Sequence, residues 1–281
     1  MEKVVAIILN YNSFADCEKC LSYLCKQDYE ELYIVIVDNA SPKDGEKEHL
    51  IDLKVKFNCH LIFSEENAGF SAGNNLGLKW AYEQRADWAL IINPDVELRD
   101  PHYISAVMKE KGKWERVVVI GTDVVLPSGN HQNPQRESTY WESVLWPLET
   151  IKGKIDGNKN RYLCDNITGY CEKVTGACFF ISLPFISAIG YLDQKVFMYS
   201  EEAILAAQVK KEKYNTLYIA EIQAHHEHYS HQKAPSRDRM MLFTRSRLYY
   251  YKNYVPMNIM AYKLIQFSLW LEQKFLLLRS K

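Results

Sequence analysis

The run Val4-Val5-Ala6-Ile7-Ile8-Leu9-Asn10-Tyr11-Asn12 decides the fold. An unbroken apolar stretch rich in Val and Ile stops at three polar residues. A short run of this kind reads as a strand buried on both faces, as in a parallel sheet covered by helices. The pattern recurs three times. Asp38-Asn39-Ala40-Ser41 follows residues 33–37, Asn67-Ala68-Gly69-Phe70 follows 61–63, and Asn93-Pro94-Asp95 follows Trp88–Ile92. In an open α/β sheet the carboxyl ends of parallel strands share one edge, and ligands bind there. Four motifs rich in Asn, Asp and Gly on that edge predict a single polar pocket.

Helices are expected between these strands. Residues 13–26 place Phe14, Cys17, Leu21 and Leu24 on one face, with Ser13 as N-cap. Residues 45–54 and 72–84 read as two more, and Pro101 opens another at its first turn. The alternation predicts an α/β fold with a mostly parallel central sheet flanked by helices.

The composition sets limits. Hydrophobic residues make up 47% and charged residues 25% of 281, values of an ordinary globular chain. A net charge of −1 argues against general attraction to nucleic acid, so no nucleic acid partner is expected. Nineteen tyrosines and six tryptophans lean toward ligands on which aromatics stack, such as sugars and bases. Seven cysteines without a secretory signal imply reduced thiols, a cytoplasmic setting and buried or half-buried structural roles.

Past Gly121 the alternation fails. Residues 123–126 lead into a hairpin turn at Pro127-Ser128-Gly129-Asn130, and residues 131–170 show no period and read as long loops near the pocket. A strand is expected over 174–183 and a helix over Glu201–Lys211. Residues 236–254 are basic and aromatic. Beyond Pro256, Met260, Leu264, Phe267, Leu271, Phe275 and Leu278 form one apolar stripe on a helix. Lys263, Glu272 and Lys274 interrupt it, so it is not a clean membrane span. It suits packing against the domain or a second copy, or an anionic membrane surface with Lys274, Arg279 and Lys281 near headgroups.

The motif residues carry definite chemistry. A carboxylate at Asp38 could accept hydrogen bonds from a base or ribose, although Asp, Asn and Ser equally favour a turn. The segment from Asn67 through Gly73 and Asn74 to Gly77 leads into a helix whose first N–H groups could hold a diphosphate. It is neither the dinucleotide G-x-G-x-x-G nor a P-loop. Asp95, at the end of a buried strand, suits Mg²⁺ or Mn²⁺ held by few protein ligands, or a helix cap.

These motifs, in this order, resemble those of inverting family 2 glycosyltransferases, especially the rhamnosyltransferase-like branch. Val174-Thr175-Gly176-Ala177-Cys178, Gly190-Tyr191-Leu192-Asp193 and Phe197-Met198-Tyr199-Ser200-Glu201-Glu202 resemble that branch too. The resemblance implies the GT-A fold and a dTDP-, UDP- or GDP-sugar donor. It implies a catalytic domain over residues 1–235, with 1–121 as the nucleotide-sugar half and 122–235 as the acceptor side, and a helical extension over 236–281. Asn10, Tyr11, Asn12, Asp38, Asn39, Asn67, Gly69, Gly73, Asn74 and Asn93 would bind the nucleotide. Asp95 and His226, among the cluster His225, His226, His228 and His231, would bind the metal; the spacing of His226 to Ser230 matches the family. Glu202 would be the base and Glu201 its support, with Gly176, Ala177 and Tyr199 lining the acceptor or sugar pocket.

One departure stands out. Ile204 and Gln208 replace an acid and a base that the family usually carries in this helix, and Glu202 stands for its usual Asp. The expected function is metal-dependent transfer of a sugar, rhamnose or another hexose, to a glycan or lipid-linked acceptor in surface polysaccharide synthesis. The setting would be cytoplasmic, peripheral on the inner face of the plasma membrane. The alternative is a non-catalytic nucleotide-sugar-binding scaffold.

Overall fold

The computed structural model describes residues 1–155, 162–227 and 237–279. His228, Ser230, His231 and Lys281, and the side chains of Leu278 and Arg279, lie outside the described residues. The strands are β1 (Val4–Asn10), β2 (Leu32–Asp38), β3 (His60–Phe63), β4 (Trp88–Ile92), β5 (Val96–Glu97), β6 (Val117–Val125), β7 (Gly169–Cys171), β8 (Cys178–Ser182) and β9 (Asn215–His226). The helices are α1 (Phe14–Leu24), α2 (Glu46–Phe57), α3 (Phe70–Glu83), α4 (Tyr103–Lys111), α5 (Tyr140–Val144), α6 (Trp146–Ile155), α7 (Leu183–Ala188), α8 (Glu201–Lys211), α9 (Arg237–Tyr254) and α10 (Ile259–Arg279).

The strands form one sheet in the order β3-β2-β1-β4-β8-β6-β9-β5, with β7 pairing β9. β1 is parallel to β2 and β4, β2 to β3, and β6 to β9. β8 is antiparallel to both β4 and β6. Reversing β8 therefore leaves β6 and β9 running the same way as β1 to β4. The register of β6 on β9 jumps between Thr122 and Asp123. Beyond the jump, His225 and His226 pair with Glu97 and Val96 of β5.

The sheet is covered on both faces, as its apolar strands require. Ile8, Ile36, Leu90 and Phe180 pack with α1, α2 and α4, while Ile7, Val35, Ile91 and Phe179 pack with α3, α7 and α8. α3 lies very close to β1. A Cβ on Gly73 would fall 2.5 Å from Leu9 Cδ1, and one on Gly77 would fall 2.5 Å from Ile7 Cγ2.

Several sequence expectations change. Ser13 makes no side-chain cap; the Phe14 N–H donates instead to the Glu46 carboxylate, 2.8 Å away. Residues 174–177 are not strand, because the chain turns at Gly176 before β8 begins. The supposed loops of 131–170 contain α5 and α6. Thr139 and Glu142 cap α5 reciprocally, a capping box that the sequence displays. The hairpin turn forms, with the Gly129 N–H donating to the Leu126 carbonyl. Cys17 and Cys20 are buried, and burial pushes both thiols well up, as suits inert core residues. Cys25 and Cys164 are exposed, against expectation.

The apolar stripe of α10 also lies elsewhere than packing would place it. Ile265, Ser268 and Leu269 face inward, and Met260, Phe267 and Leu271 face out.

Two glycines should respond oppositely to alanine. Gly77→Ala drives a methyl into the stiff, fully buried Ile7 and should cost about 1–3 kcal/mol, lowering the urea midpoint. Gly153→Ala in α6 meets nothing within 4 Å and should stabilise the chain by up to about 1 kcal/mol, raising the midpoint.

Candidate active site

The floor of the pocket is a buried polar network. The Asn10 amide donates to Asp38 Oδ1 at 2.9 Å, Ser41 Oγ at 3.2 Å and Glu46 Oε1 at 3.0 Å. Its oxygen accepts from the Ser13 N–H and hydroxyl. Asp38 accepts further from the Ser41 hydroxyl. Asn10, Asp38 and Glu46 are fully buried; the network supplies donors to Asp38 and to Glu46 Oε1, which lowers the cost of burying them, while Glu46 Oε2 has no partner. Asp38 thus frames the loops after β1 and β2 from beneath, rather than standing at the surface to meet a base. Tyr11 and Asn12 reach solvent above this frame, Tyr11 with 46% of its area exposed. Asn12 Oδ1 holds the Lys43 N–H at 3.1 Å.

The next loops are sewn together. The Asn39 amide donates to Asn67 Oδ1 at 2.9 Å, and Asn67 Oδ1 also accepts from the Gly69 N–H. Gly69 has φ +98° and no room for a side chain, since the Phe197 carbonyl oxygen lies 2.2 Å from where its Cβ would be. The Phe70 N–H donates to that same carbonyl at 3.0 Å. The Phe70 N–H, first in α3, is therefore taken by protein rather than offered to a diphosphate. That contact starts α3 at Phe70, ahead of the expected 72. Gly73 and Asn74 are likewise interior. Asn74 donates to the Phe70 carbonyl, and Gly73 lets α3 approach Leu9. Asn75, passed over in the sequence, grips Leu192 at both its carbonyl (2.8 Å) and its N–H (3.0 Å).

Asn93 and Asp95 stand at the centre of the edge. The Asn93 N–H donates to the Ala177 carbonyl at 2.8 Å, which binds the end of β4 to the turn before β8. Asp95 Oδ1 lies 3.2 Å from His226 Nε2. Gln132 Oε1 lies 2.7 Å from His226 Nδ1. The amide oxygen accepts from Nδ1–H, which leaves Nε2 as the ring atom toward Asp95, where it can pair with the carboxylate or ligate a cation. A carboxylate oxygen and an imidazole nitrogen that converge are donor types a divalent cation takes, so these residues fit one. Among the described residues no three metal-ligating side chains come together. Its other ligands would have to come from substrate and water. Gln132 carried no sequence signal. His225 faces Glu97 in the β5–β9 register instead.

The acid pair sits across the turn. Gly176 N–H donates to Glu202 Oε1 at 3.1 Å, and the space a Gly176 side chain would fill is taken by that carboxylate and the Phe70 ring. Gly176 thus makes room for Glu202 rather than for a sugar. Glu201 Oε1 is out of solvent and without a hydrogen bond. Burial, and next the charge of Glu202, push the Glu201 carboxyl up to about 8. Both acids open α8 after Tyr199 and Ser200, whose φ values of 74° and 67° are strained for non-glycine residues. α9 holds this turn: Ser246 Oγ donates to the Met198 carbonyl, and Phe243 meets the Tyr199 ring edge-on. Tyr249 and Tyr254 both donate to Asp193. Ile204 is buried, and Gln208 Oε1 is buried without a partner.

Known proteins resemble this chain in sequence and in fold. Residues 5–178 match the sequence profile of glycosyl transferase family 2, and the chain belongs to that family. It is 24% identical over 220 residues to a low-salt glycan biosynthesis hexosyltransferase, Agl10, of Haloferax volcanii, covering 76% of this chain but only 64% of that relative. It is 19% identical over 252 residues to an N-acetylglucosaminyl-diphospho-decaprenol L-rhamnosyltransferase of Mycobacterium tuberculosis, covering 82% and 78% of the two chains. Its fold resembles that of a Pyrobaculum calidifontis mannosyltransferase solved with GDP-Man and Mn²⁺, with TM-score 0.62, 13% identity and 99% and 73% coverage. It also resembles GalNAc-T7 solved with UDP, GalNAc and Mn²⁺, with TM-score 0.65, 14% identity and 90% and 49% coverage. The fold is the GT-A fold of these enzymes.

Folding raises the Glu201 carboxyl above its usual 4.5, so the native state binds that proton more tightly than the unfolded chain. The resulting stabilisation is complete below that usual value and is lost as pH climbs through about 8. Urea midpoints measured from about pH 5 to pH 9 should fall in the parent. They should fall less in Glu201→Gln.

Proposed function

We propose that this chain is a metal-dependent inverting glycosyltransferase that moves a sugar, rhamnose or another hexose, from a nucleotide diphosphate to a glycan or lipid-linked acceptor. The observation that carries the reading is the continuous path from Asp95 and His226, through Asn93 and Ala177, to Gly176 and Glu202. It supports a reading in which Asp95 and His226 would hold a cation at the same sheet edge as the Glu202 carboxylate. Support also comes from the nucleotide and Mn²⁺ in the fold relatives, and from the lipid-diphosphate substrate in the rhamnosyltransferase's name.

In this reading Asn67, Tyr11 and Asn12 line the nucleotide side, over the frame of Asn10 and Asp38. A divalent cation on Asp95 and His226 would offset the charge gathering on the departing diphosphate. Glu202 receives the proton of the acceptor hydroxyl as that oxygen attacks the anomeric carbon. The Gly176 N–H fixes one of its oxygens and leaves the other for the acceptor. Glu201 is kept neutral over much of the working range, so Glu202 does not face a second full charge. One base and a single displacement invert the sugar. The acceptor reaches the site at the cytoplasmic face of a membrane, with the enzyme bound peripherally.

The rival scaffold reading retains Glu202 without using it. Glu202→Gln separates the two: kcat should fall about 10²- to 10⁴-fold while donor affinity stays within about threefold. A parent with no turnover to lose would sink the enzyme reading. Calorimetry with GDP-, UDP- and dTDP-sugars should show tighter binding when Mn²⁺ or Mg²⁺ is present. In Asp95→Asn that gain should vanish; equal affinity with and without metal in the parent would remove the cation from the scheme.

A further inference from the structure

We propose that α6 and the outer face of α10 together form a docking surface for an anionic lipid bilayer. Its use in delivering a lipid-linked acceptor rests on the reading above, but the surface itself does not.

The apolar stripe of α10 points away from the protein. Met260 is 78% exposed, Phe267 57% and Leu271 40%, while the helix packs through Ile265, Ser268 and Leu269. The stripe does not end with α10. Phe275 meets the Trp146 ring at 5.3 Å, and Trp146 opens α6, whose Leu148, Ile151 and Ile155 are exposed at one-turn spacing. Soluble monomers rarely leave so much contiguous apolar area in water.

Charge selects the occupant. The one acid of α10, Glu272, is turned inward onto the Arg247 guanidinium at 2.9 Å. The charges left on the exposed side of α10 among the described residues are Lys263 and Lys274. On the helical wheel both lie along one edge of the stripe, beside Trp270. The Lys274 ammonium lies 5.8 Å over Trp270, whose ring stacks with Phe267. An apolar stripe bordered by lysines and an indole matches the acyl and headgroup layers of a negatively charged membrane. No described helix is long and apolar enough to cross one, so the contact is along the surface. α9 ties this surface to the active site, because its Ser246 and Tyr249 hold the chain on either side of Val196.

Flotation of the full chain with phosphatidylcholine vesicles tests the surface, with and without roughly a third of the lipid as phosphatidylglycerol. The chain should float with anionic vesicles and roughly tenfold less with neutral ones, and salt should weaken the binding. The double variant Lys263→Glu/Lys274→Glu, at exposed positions that leave packing intact, should bind anionic vesicles roughly tenfold less or weaker still. Phe267→Ser/Leu271→Ser should lose both kinds of vesicle, with the thermal midpoint confirming a folded chain. Equal binding to neutral and anionic vesicles, or undiminished binding by both variants, would overturn the proposal. So would absence of flotation together with a dimer that the same substitutions break, since a second copy would then cover the face. The assay contains no donor, metal or acceptor. Loss of turnover therefore leaves the docking standing, and loss of flotation leaves donor binding standing.

Discussion

The hydrogen bond from the Asn93 N–H to the Ala177 carbonyl is the constraint on which the rest of the site depends. It exists because β8 runs against β4. A parallel neighbour would bring its own carboxyl end to this edge, and the turn at Gly176 would sit at the far side of the sheet. Reversal brings Gly176 and Ala177 to where β4 releases Asn93 and Asp95. On one side of that junction Asp95 reaches His226, and on the other Gly176 grips Glu202. Topology, rather than any single side chain, brings the Asp95–His226 contact and the Gly176–Glu202 contact to one edge of the sheet.

Two pairs of acids on this edge are treated differently. Asp38 and Glu46 are fully buried, and Asn10, Ser41 and the Phe14 N–H supply donors to Asp38 and to Glu46 Oε1, while Glu46 Oε2 has none. They are structural anchors for the loops above. Glu201 keeps an oxygen with no donor at all, and burial beside Glu202 makes it hold a proton to about 8. The first arrangement fixes a shape, and the second leaves neighbouring carboxyls with unequal hold on a proton.

The first four strands were legible in the sequence because strands buried on both faces show as unbroken apolar runs, and the motifs at their ends follow directly. What stayed hidden depends on contacts between distant segments. Glu46 stands in for the expected Ser13 cap across 32 residues, and Gln132 orients His226 across 94. Neither pairing leaves a local trace. β9 and the helices α5 and α6 lie where polar and aromatic residues blur any period, although the capping box at Thr139 was there to be read. The stripe of α10 was legible as a stripe. Periodicity reports that a face is apolar and is silent on what covers it.

The seam between Gly69 and Phe197 carries a last consequence. Main chain meets main chain there, with no side chain to absorb a change. A residue with a Cβ at 69 would push directly on the turn that presents Tyr199 and the acids. The loop at Gly69 and the turn at Phe197 are thus one rigid plate. Grafting either from a relative requires importing its mate.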